Sequence, residues 1–582
     1  MTPSPGPDAL CIGQARLTAG LDRMQRIDLT THYSVFGNLP RLTADQLIDA
    51  ADQVNLRGRG GAAFPVARKL KSVVQSARQR KKRIVVLVNA TEGEPGSAKD
   101  RMLLLRSPYL VLGGALVAAW ALQAKQIVIA VTRTDVARSI SSAANAEPDL
   151  RRLVRVVKVP ERFVVGEAGA LVNALNGKAP IPPGRKILAS DYGINDLPTL
   201  LSNAETYAQL AVLAMLGPEG YASAGTREEP GTVLLSVGGS AEHHAVVEVP
   251  AGLPLGEVLD LCGATPAEGV LVGGYHGMWL PTELAYSVPV SRSGLTAVGG
   301  TLGAGIVLPL GAGTCPLGEA ARVVGYLAKE SSGQCGPCKL GLPAIARAMT
   351  ALADGSGGID ALDTARRGAA AVKGRGACAH PDGVFRFVVS AIDVFTDDLT
   401  AHLFRGTCGR PVQGVLPLPG KQGETQLSVD WTRCRGHGLC AHLVPELVQL
   451  DGQGYPVFLD MPVPPWLVSE AQQAVQMCPS LALRMTTPPP AKEPPRPPAK
   501  QQPALERGRP ALERGRPALE RGRPALERGR PALERGQPAL DRDDGGNLTL
   551  VSSTPSEPDE DAHEAWIADL SDVGRQIPRP LT

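Results

Sequence analysis

The chain has 582 residues, 43% of them hydrophobic and 20% charged, which suits about four globular domains of roughly 150 residues and excludes wholesale disorder. Sixty Lys and Arg against 57 Asp and Glu leave +3, too balanced for a chain built around nucleic acid. The longest apolar run, Tyr109 to Leu122, has 14 residues and two glycines, short of the ~20 of a bilayer-spanning helix, and MTPSPGPDALCIGQARL lacks the plan of a secretory signal; a cytoplasmic chain without a transmembrane segment is expected.

In chain order, LTADQLIDAADQVNL has helical periodicity and runs into a glycine-rich turn. IVVLVNA (84–90) reads as a buried strand ending in an acidic loop, the stretch from Tyr109 to Ala124 as a helix, and IVIAV (127–131) as a second strand. Strands alternating with helices predict an α/β domain over 30–228. GTVLLSVGG, HAVVEVP, the helical GEVLDLC and GVLVGG then predict a small α+β module over 229–310. Helical patterns fill 311–408 around Cys335, Cys338 and Cys378. After the linker PVQGVLPLPGKQGE, residues 425–486 carry a second group, Cys434, Cys440 and Cys478, in a short strand and helix setting. Beyond Met485 the chain turns proline-rich, and PALERGR repeats from Pro503 in five heptads with a diverged sixth. Each copy holds a helix-breaking proline and a glycine, so 487–582 is expected to be a disordered spacer or docking tail.

Ten cysteines are too sparse for a disulfide scaffold. Cys11, Cys262, Cys315 and Cys408 stand alone and read as small, partly buried hydrophobes. Gly58-Arg59-Gly60-Gly61 packs three glycines into four positions, so backbone N–H groups can approach a phosphate or a flat ring, or the segment is a structural turn. Asn89, Glu92 and Glu94 follow a buried strand, at the edge where open α/β sheets bind ligands. Gly166-Glu167 and Asn203 with Glu205 repeat that chemistry.

GRGGAAFP, NATEGEPGSAKDR, VVGEAGALVNALNG, PTLLSNAETYAQLA and ESSGQCGPC resemble, in order, the signature blocks of the NADH-binding flavoprotein subunit of respiratory complex I and of related hydrogenase and formate dehydrogenase diaphorases. The resemblance covers about residues 30–405. It implies an FMN domain, a β-grasp module and a helical bundle holding a 4Fe-4S cluster. It assigns Gly58, Gly60, Gly61 and Lys69 to the FMN cradle, Asn89, Glu92, Gly166, Glu167 and Asn203 to further flavin contacts, and Phe64 and Glu94 to the nicotinamide nucleotide. CRGHGLCAHLVPE and MCPSLAL resemble the small bacterial 3Fe-4S ferredoxins that serve haem-thiolate monooxygenases. There Cys434, Cys440 and Cys478 are the thiolates, and His437 either ligates a fourth iron or flanks a three-iron cluster.

The departures from the family are as specific as the matches. Thr91 replaces an aspartate, Ala168 the second glutamate of GEE, and Ser202 the first of two asparagines. KAPIPPGRK has no aromatic, and Ser72 stands where one is expected. Ser332 occupies the first corner of the cluster motif with Cys335, Cys338 and Cys378, implying serine ligation of a 4Fe-4S cluster, a 3Fe-4S cluster, or none. The reading is of a multidomain oxidoreductase moving electrons from NADH through FMN and iron-sulfur clusters to its fused ferredoxin. The alternatives are an adapter fed by a partner protein and a scaffold without upstream redox function. The expected partners are NADH and a redox acceptor, either a haem-thiolate monooxygenase or another oxidoreductase subunit.

Overall fold

The computed structural model describes residues 6–184, 187–265, 268–419, 426–445, 447–458, 463 and 467–486. The repeat tail, with its expected disorder, lies outside them. The multidomain α/β class expected from the sequence is observed, with one all-parallel sheet, one mixed sheet, a helical bundle and two short strand pairs.

The parallel sheet has four strands in the order Val154–Lys158, Gln126–Val131, Val85–Ala90, Thr199–Asn203. Side chains alternate across a strand, so Val86 and Val88 join the core on one face while Val85 and Leu87 join that on the other. This double burial explains why IVVLVNA reads as a continuous apolar run. On the first face lie the helices Pro108–Ala121, buried at nearly every position, and Ala204–Ala222. They approach so closely that a Cβ on Gly114 would come within 1.7 Å of the Tyr207 carbonyl oxygen.

The mixed sheet runs Ala9–Cys11, Ala245–Pro250, Thr232–Val237, Ile306–Leu310, Gly269–Val272, Met278–Pro281. Ala9–Cys11 has no strand pattern of its own and pairs in parallel with Ala245–Pro250. Glu248 holds it there. This carboxylate, 0% exposed, accepts the backbone N–H groups of Arg16 (3.0 Å), Leu17 (2.9 Å) and Thr18 (2.9 Å) and the hydroxyls of Thr18 and Thr232 (2.7 Å each).

The bundle comprises Pro316–Lys329, Leu342–Ala353, Gly358–Val372, His380–Val394 and Thr396–Arg405 around Leu327, Ile345, Met349 and Phe387. Tyr275 and Trp279, from the mixed sheet and its loop, enter the same core. Fully buried Glu319 accepts N–H groups of Gly414 (2.6 Å) and Val415 (3.3 Å), fastening the segment that leaves the bundle. The last described part pairs Gln426–Val429 with Leu483–Thr486 and Val448–Leu450 with Pro456–Phe458, both antiparallel, with helices Leu439–Leu443 and Val468–Met477. Among the described residues no single helix is long and apolar enough to cross a membrane.

Candidate functional site

From Val85–Ala90 the parallel sheet grows two strands to one side, then returns with Thr199–Asn203 on the other. Between those two strands lies a topological switch point, whose carboxyl end is where open α/β sheets form a ligand crevice. Asn89 and Asn203 are register partners there. The Asn89 amide is locked, its Nδ2 donating to the Gly166 carbonyl (3.0 Å) and its Oδ1 accepting from the Thr91 N–H (3.2 Å) and hydroxyl (2.8 Å). Thr91 thus takes a structural role, fixing the Asn89 side chain. Asn203 caps the helix Ala204–Ala222, accepting the Thr206 N–H at 3.2 Å.

The glycine turn closes through Gly58 N–H to the Phe64 carbonyl (2.9 Å). A Cβ on Gly60 would sit 3.5 Å from Asn203 Cβ, so the turn lies against the crevice, and Gly61 has φ +98°, where a side chain is strained. Gly60 and Gly61 are exposed, leaving a bare backbone that fits a flat, phosphorylated cofactor. Lys69 donates to the Leu201 carbonyl (2.7 Å), and burial pushes its pKa down to about 8. Its ammonium lies 5.8 Å from the Phe64 ring, which is 46% exposed and free to stack. Ser72, in the place of the second aromatic, hydrogen-bonds Ser190 (3.1 Å).

The three glutamates differ. Glu92 accepts the N–H groups of Asp100 (2.9 Å) and Arg101 (2.8 Å) and the Ser97 hydroxyl (2.7 Å), holding the start of the helix Lys99–Arg106. Glu94 accepts the Tyr275 N–H, and burial pushes its pKa up to about 7. The adjoining Gly274 has φ +81°, and a Cβ there would lie 2.0 Å from Glu94 Oε1. Glu167 caps Ala168–Leu175 through the Ala170 N–H (2.8 Å).

Two residues not singled out from the sequence, Lys99 and Asp100, join Glu205, which was, beside Asn203. Lys99, 2% exposed, bridges Asp100 (3.0 Å) and Glu205 (2.9 Å). Burial opposes its charge, but the carboxylates of Asp100 and Glu205 more than offset that and raise its pKa. Its signal was the lysine-aspartate pair inside the SAKDR block. Gly58 and Gly61 of the glycine turn, with Arg57, Arg59, Arg292 and Glu205, help line a cavity of about 220 Å³.

Between crevice and bundle stands a ring-rich wall. Phe163 lies 4.7 Å from His276 and 5.5 Å from His380, centroid to centroid. His276 Nε2 meets His380 Nδ1 at 3.0 Å, and His380 Nε2 contacts the Leu327 carbonyl at 2.8 Å. Burial holds both imidazoles below their ordinary pKa. Neither histidine carried a motif, so this wall was invisible in the sequence. Cys378 lies two residues before His380. Its thiol is pushed up by burial, offset by the His380 N–H and reinforced by the nearby Glu167 and Cys335.

Cys335, Cys338 and Cys378 interact with one another electrostatically, and the Ser332 backbone N–H approaches the buried Cys338 thiol. Burial pushes the Cys335 thiol up, but hydrogen bonds from Ala377 and Cys338 bring it net below its ordinary value, favouring thiolate. A π-helical turn, Pro337–Gly341, carries Cys338, and such turns recur at functional sites. Three thiols with a half-buried serine fit an iron-sulfur cluster at three corners. In the last part, Cys434, His437, Cys440 and Cys478 line one pocket. Cys478 Sγ accepts the Ala482 N–H (3.4 Å), and His437 Nδ1 meets the Ser480 hydroxyl (3.2 Å). This thiol-rich pocket also fits a cluster.

Comparison with known proteins gives the same order of parts. Residues 51–212 match the Nuo51 FMN-binding domain, 318–402 the NADH-ubiquinone oxidoreductase-F iron-sulfur binding region, and 427–485 a 4Fe-4S single cluster domain. The chain is 27% identical over 389 residues to the F 2 subunit of the NADH-quinone oxidoreductase of Rhizobium meliloti, covering 64% of this chain and 91% of that one. It is 28% identical over 410 residues to the corresponding F subunit of Mycobacterium tuberculosis, covering 66% and 90%. The HndC subunit of the NADP-reducing hydrogenase of Solidesulfovibrio fructosivorans is 24% identical, covering 71% and 86%. The NAD+-reducing NiFe-hydrogenase in its air-oxidized state superposes with a TM-score of 0.60 at 25% identity, covering 68% of each chain. The chain is thus a homologue of the F subunits of NADH-quinone oxidoreductases, carrying their FMN-binding domain and iron-sulfur region followed by a 4Fe-4S ferredoxin domain.

Proposed function

We propose that this chain oxidises NADH at a flavin held in the switch-point crevice and delivers the electrons through a cluster in the helical bundle to a second cluster in residues 427–485. The observation that carries it is the peptide Gly166-Glu167. The Gly166 carbonyl is bound by Asn89 inside the crevice, while the next carboxylate acts on the Cys378 thiol. Flavin crevice and cluster thiols therefore share one turn of chain.

The chemistry a bound FMN supplies is the conversion of a two-electron donor into the single-electron steps that iron-sulfur centres accept. The chain's own groups do the positioning. Gly58, Gly60 and Gly61 present bare backbone, Asn89 ties its strand end to the Gly166 carbonyl, and Asn203 caps the helix that follows its own strand. Lys69 places a positive charge at the crevice, Phe64 offers a stacking face for the nucleotide, and Glu94 supplies a buried carboxyl whose pKa is pushed up to about 7. Glu92 fixes the helix behind them. Cys335, Cys338 and Cys378 take three corners of the first cluster with Ser332 at the fourth, and Cys434, Cys440 and Cys478 with His437 hold the second. The regions 30–228, 229–310 (β-grasp), 311–408 and 425–486 are the working parts of this route. Tethering the last keeps the acceptor at high effective concentration.

Relatives are named as subunits of quinone-reducing and hydrogenase enzymes, so another oxidoreductase subunit is the fitting partner. Nothing in the fold singles out a haem-thiolate monooxygenase among acceptors. The test is anaerobic titration of the FMN- and cluster-loaded chain with NADH, followed by visible spectra and low-temperature EPR. Flavin bleaching followed by reduced-cluster signals is expected. Centres that respond to dithionite while NADH leaves the flavin oxidised would replace this reading with the partner-fed adapter.

A further inference from the structure

Cys315 and Cys408, isolated in the sequence, are not isolated in space. With His402 they form a trio whose two Sγ atoms and one imidazole nitrogen all lie within 4.8 Å of one another. Among the described residues no other three side chains of this kind are so close. Cys315 Sγ stands 3.3 Å from His402 Nε2. A tetrahedral Zn2+ with Zn–S of about 2.3 Å and Zn–N of about 2.0 to 2.1 Å sets its donors roughly 3.5 to 3.8 Å apart, so only small side-chain adjustments separate this trio from a coordination shell. Iron-sulfur thiols stand around a larger, multinuclear core, and Cys335, Cys338 and Cys378 do not form such a tight trio.

The surroundings suit thiolate and imidazole ligation. Cys315 and His402 are buried, at 2% and 4% exposure. Cys315 Sγ accepts the Gly318 N–H (3.3 Å) at the start of Pro316–Lys329, and Arg410 reaches the Cys408 thiol, so each sulfur has a donor aimed at it. His402 Nδ1 is buried beside the carbonyls of Leu352 and Ala353, without a hydrogen bond of ordinary geometry, which turns Nε2 toward the sulfurs. The donors come from three places: the entry to the bundle, its last helix, and the segment leaving it.

We propose that Cys315, His402 and Cys408 bind one Zn2+, with the fourth position open to water, separate from both iron-sulfur sites. Binding releases the two thiol protons and leaves a neutral site of two thiolates, one imidazole and one dication. The ion would fasten the departing segment, already held by Cys315 N–H to the Pro411 carbonyl (2.9 Å), to the end of the bundle.

The test uses the full-length, cluster- and FMN-loaded chain, given one equivalent of Zn2+ anaerobically and washed with a weak chelator. Elemental analysis is expected to find one zinc per chain, and zinc K-edge absorption to show two sulfurs at about 2.3 Å with nitrogen and oxygen at about 2.0 to 2.1 Å. Cys408→Ala, at a half-buried position, and His402→Gln are each expected to lose at least tenfold in retained zinc with iron and flavin content unchanged. Three results would overturn the proposal: no zinc retained by the wild type, zinc retained by Cys408→Ala but lost from Cys335→Ala, or a native mass two hydrogens low that locates a Cys315–Cys408 disulfide.

Discussion

Glu92 and Glu94 stand two residues apart in one loop, yet their surroundings set them to different tasks. Glu92 has both oxygens committed to the helix start, whereas Glu94 is packed against the Gly274-Tyr275 loop with one N–H partner. The folded Glu94 carboxyl titrates near 7 instead of 4.5. What its neutral form adds to stability is complete below its ordinary pKa and is lost as pH rises through about 7. On the proposed role of Glu94 at the nucleotide, its negative charge above that pH opposes an anionic ligand. NADH affinity is therefore expected to weaken as pH rises, by up to about tenfold per unit above 7, and Glu94→Gln to flatten the profile; flavin-bleaching titrations across neutral pH measure this. Glu92→Gln should leave the profile in place and cost about 1 kcal/mol of stability through its weakened cap, read by denaturant unfolding. Both acids were visible in the sequence as one motif, but their division of labour was not, because it depends on which partner segment covers each side chain.

At the scale of elements, the helix pair Pro108–Ala121 and Ala204–Ala222 is set by Gly114 beneath the Tyr207 carbonyl. Gly114→Ala must push the helices apart and is expected to destabilise the protein by about 3 kcal/mol, measurable as a shift of the unfolding midpoint. The strands 84–90 and 127–131 and the helix after Tyr109 were legible because apolar runs of those lengths, bounded by turns, have few other solutions. Ala9–Cys11 was not, since three residues carry no period, and neither was the trio around Cys315, whose other members, His402 and Cys408, come from the far end of the bundle and the segment beyond it. The wall of His276 and His380 arises the same way, from a loop meeting a helix. Its imidazoles titrate below 6.5 in the fold, so their stabilising contribution is present above 6.5 and lost as pH falls toward the folded values. Thermal melts should therefore show a drop below neutrality that His380→Gln reduces.

For the whole molecule, the order of cofactor sites along the chain makes the electron route separable by mutation. Cys335→Ala is expected to leave NADH bleaching of the flavin intact while the cluster in 427–485 stays oxidised, as followed by EPR. Ser332→Cys should instead raise the iron bound by the bundle toward a four-thiolate cluster, read by iron analysis and EPR. The order of parts was readable from five spaced blocks and two cysteine groups. The orientation of the crevice toward Cys378 was not, because it depends on how the Gly166-Glu167 turn packs against the bundle.

The buried carboxylate of Glu248 adds a constraint in time. Its partner Thr18 lies 230 residues earlier, so at a synthesis rate of about 5 to 20 residues per second the first strand waits on the order of 10 to 50 s for its neighbour to be made. Throughout that interval Ala9–Cys11 is an unpaired edge on a growing chain. Its three-residue length is then a safeguard, since so short a strand offers little for a neighbouring nascent chain to pair with.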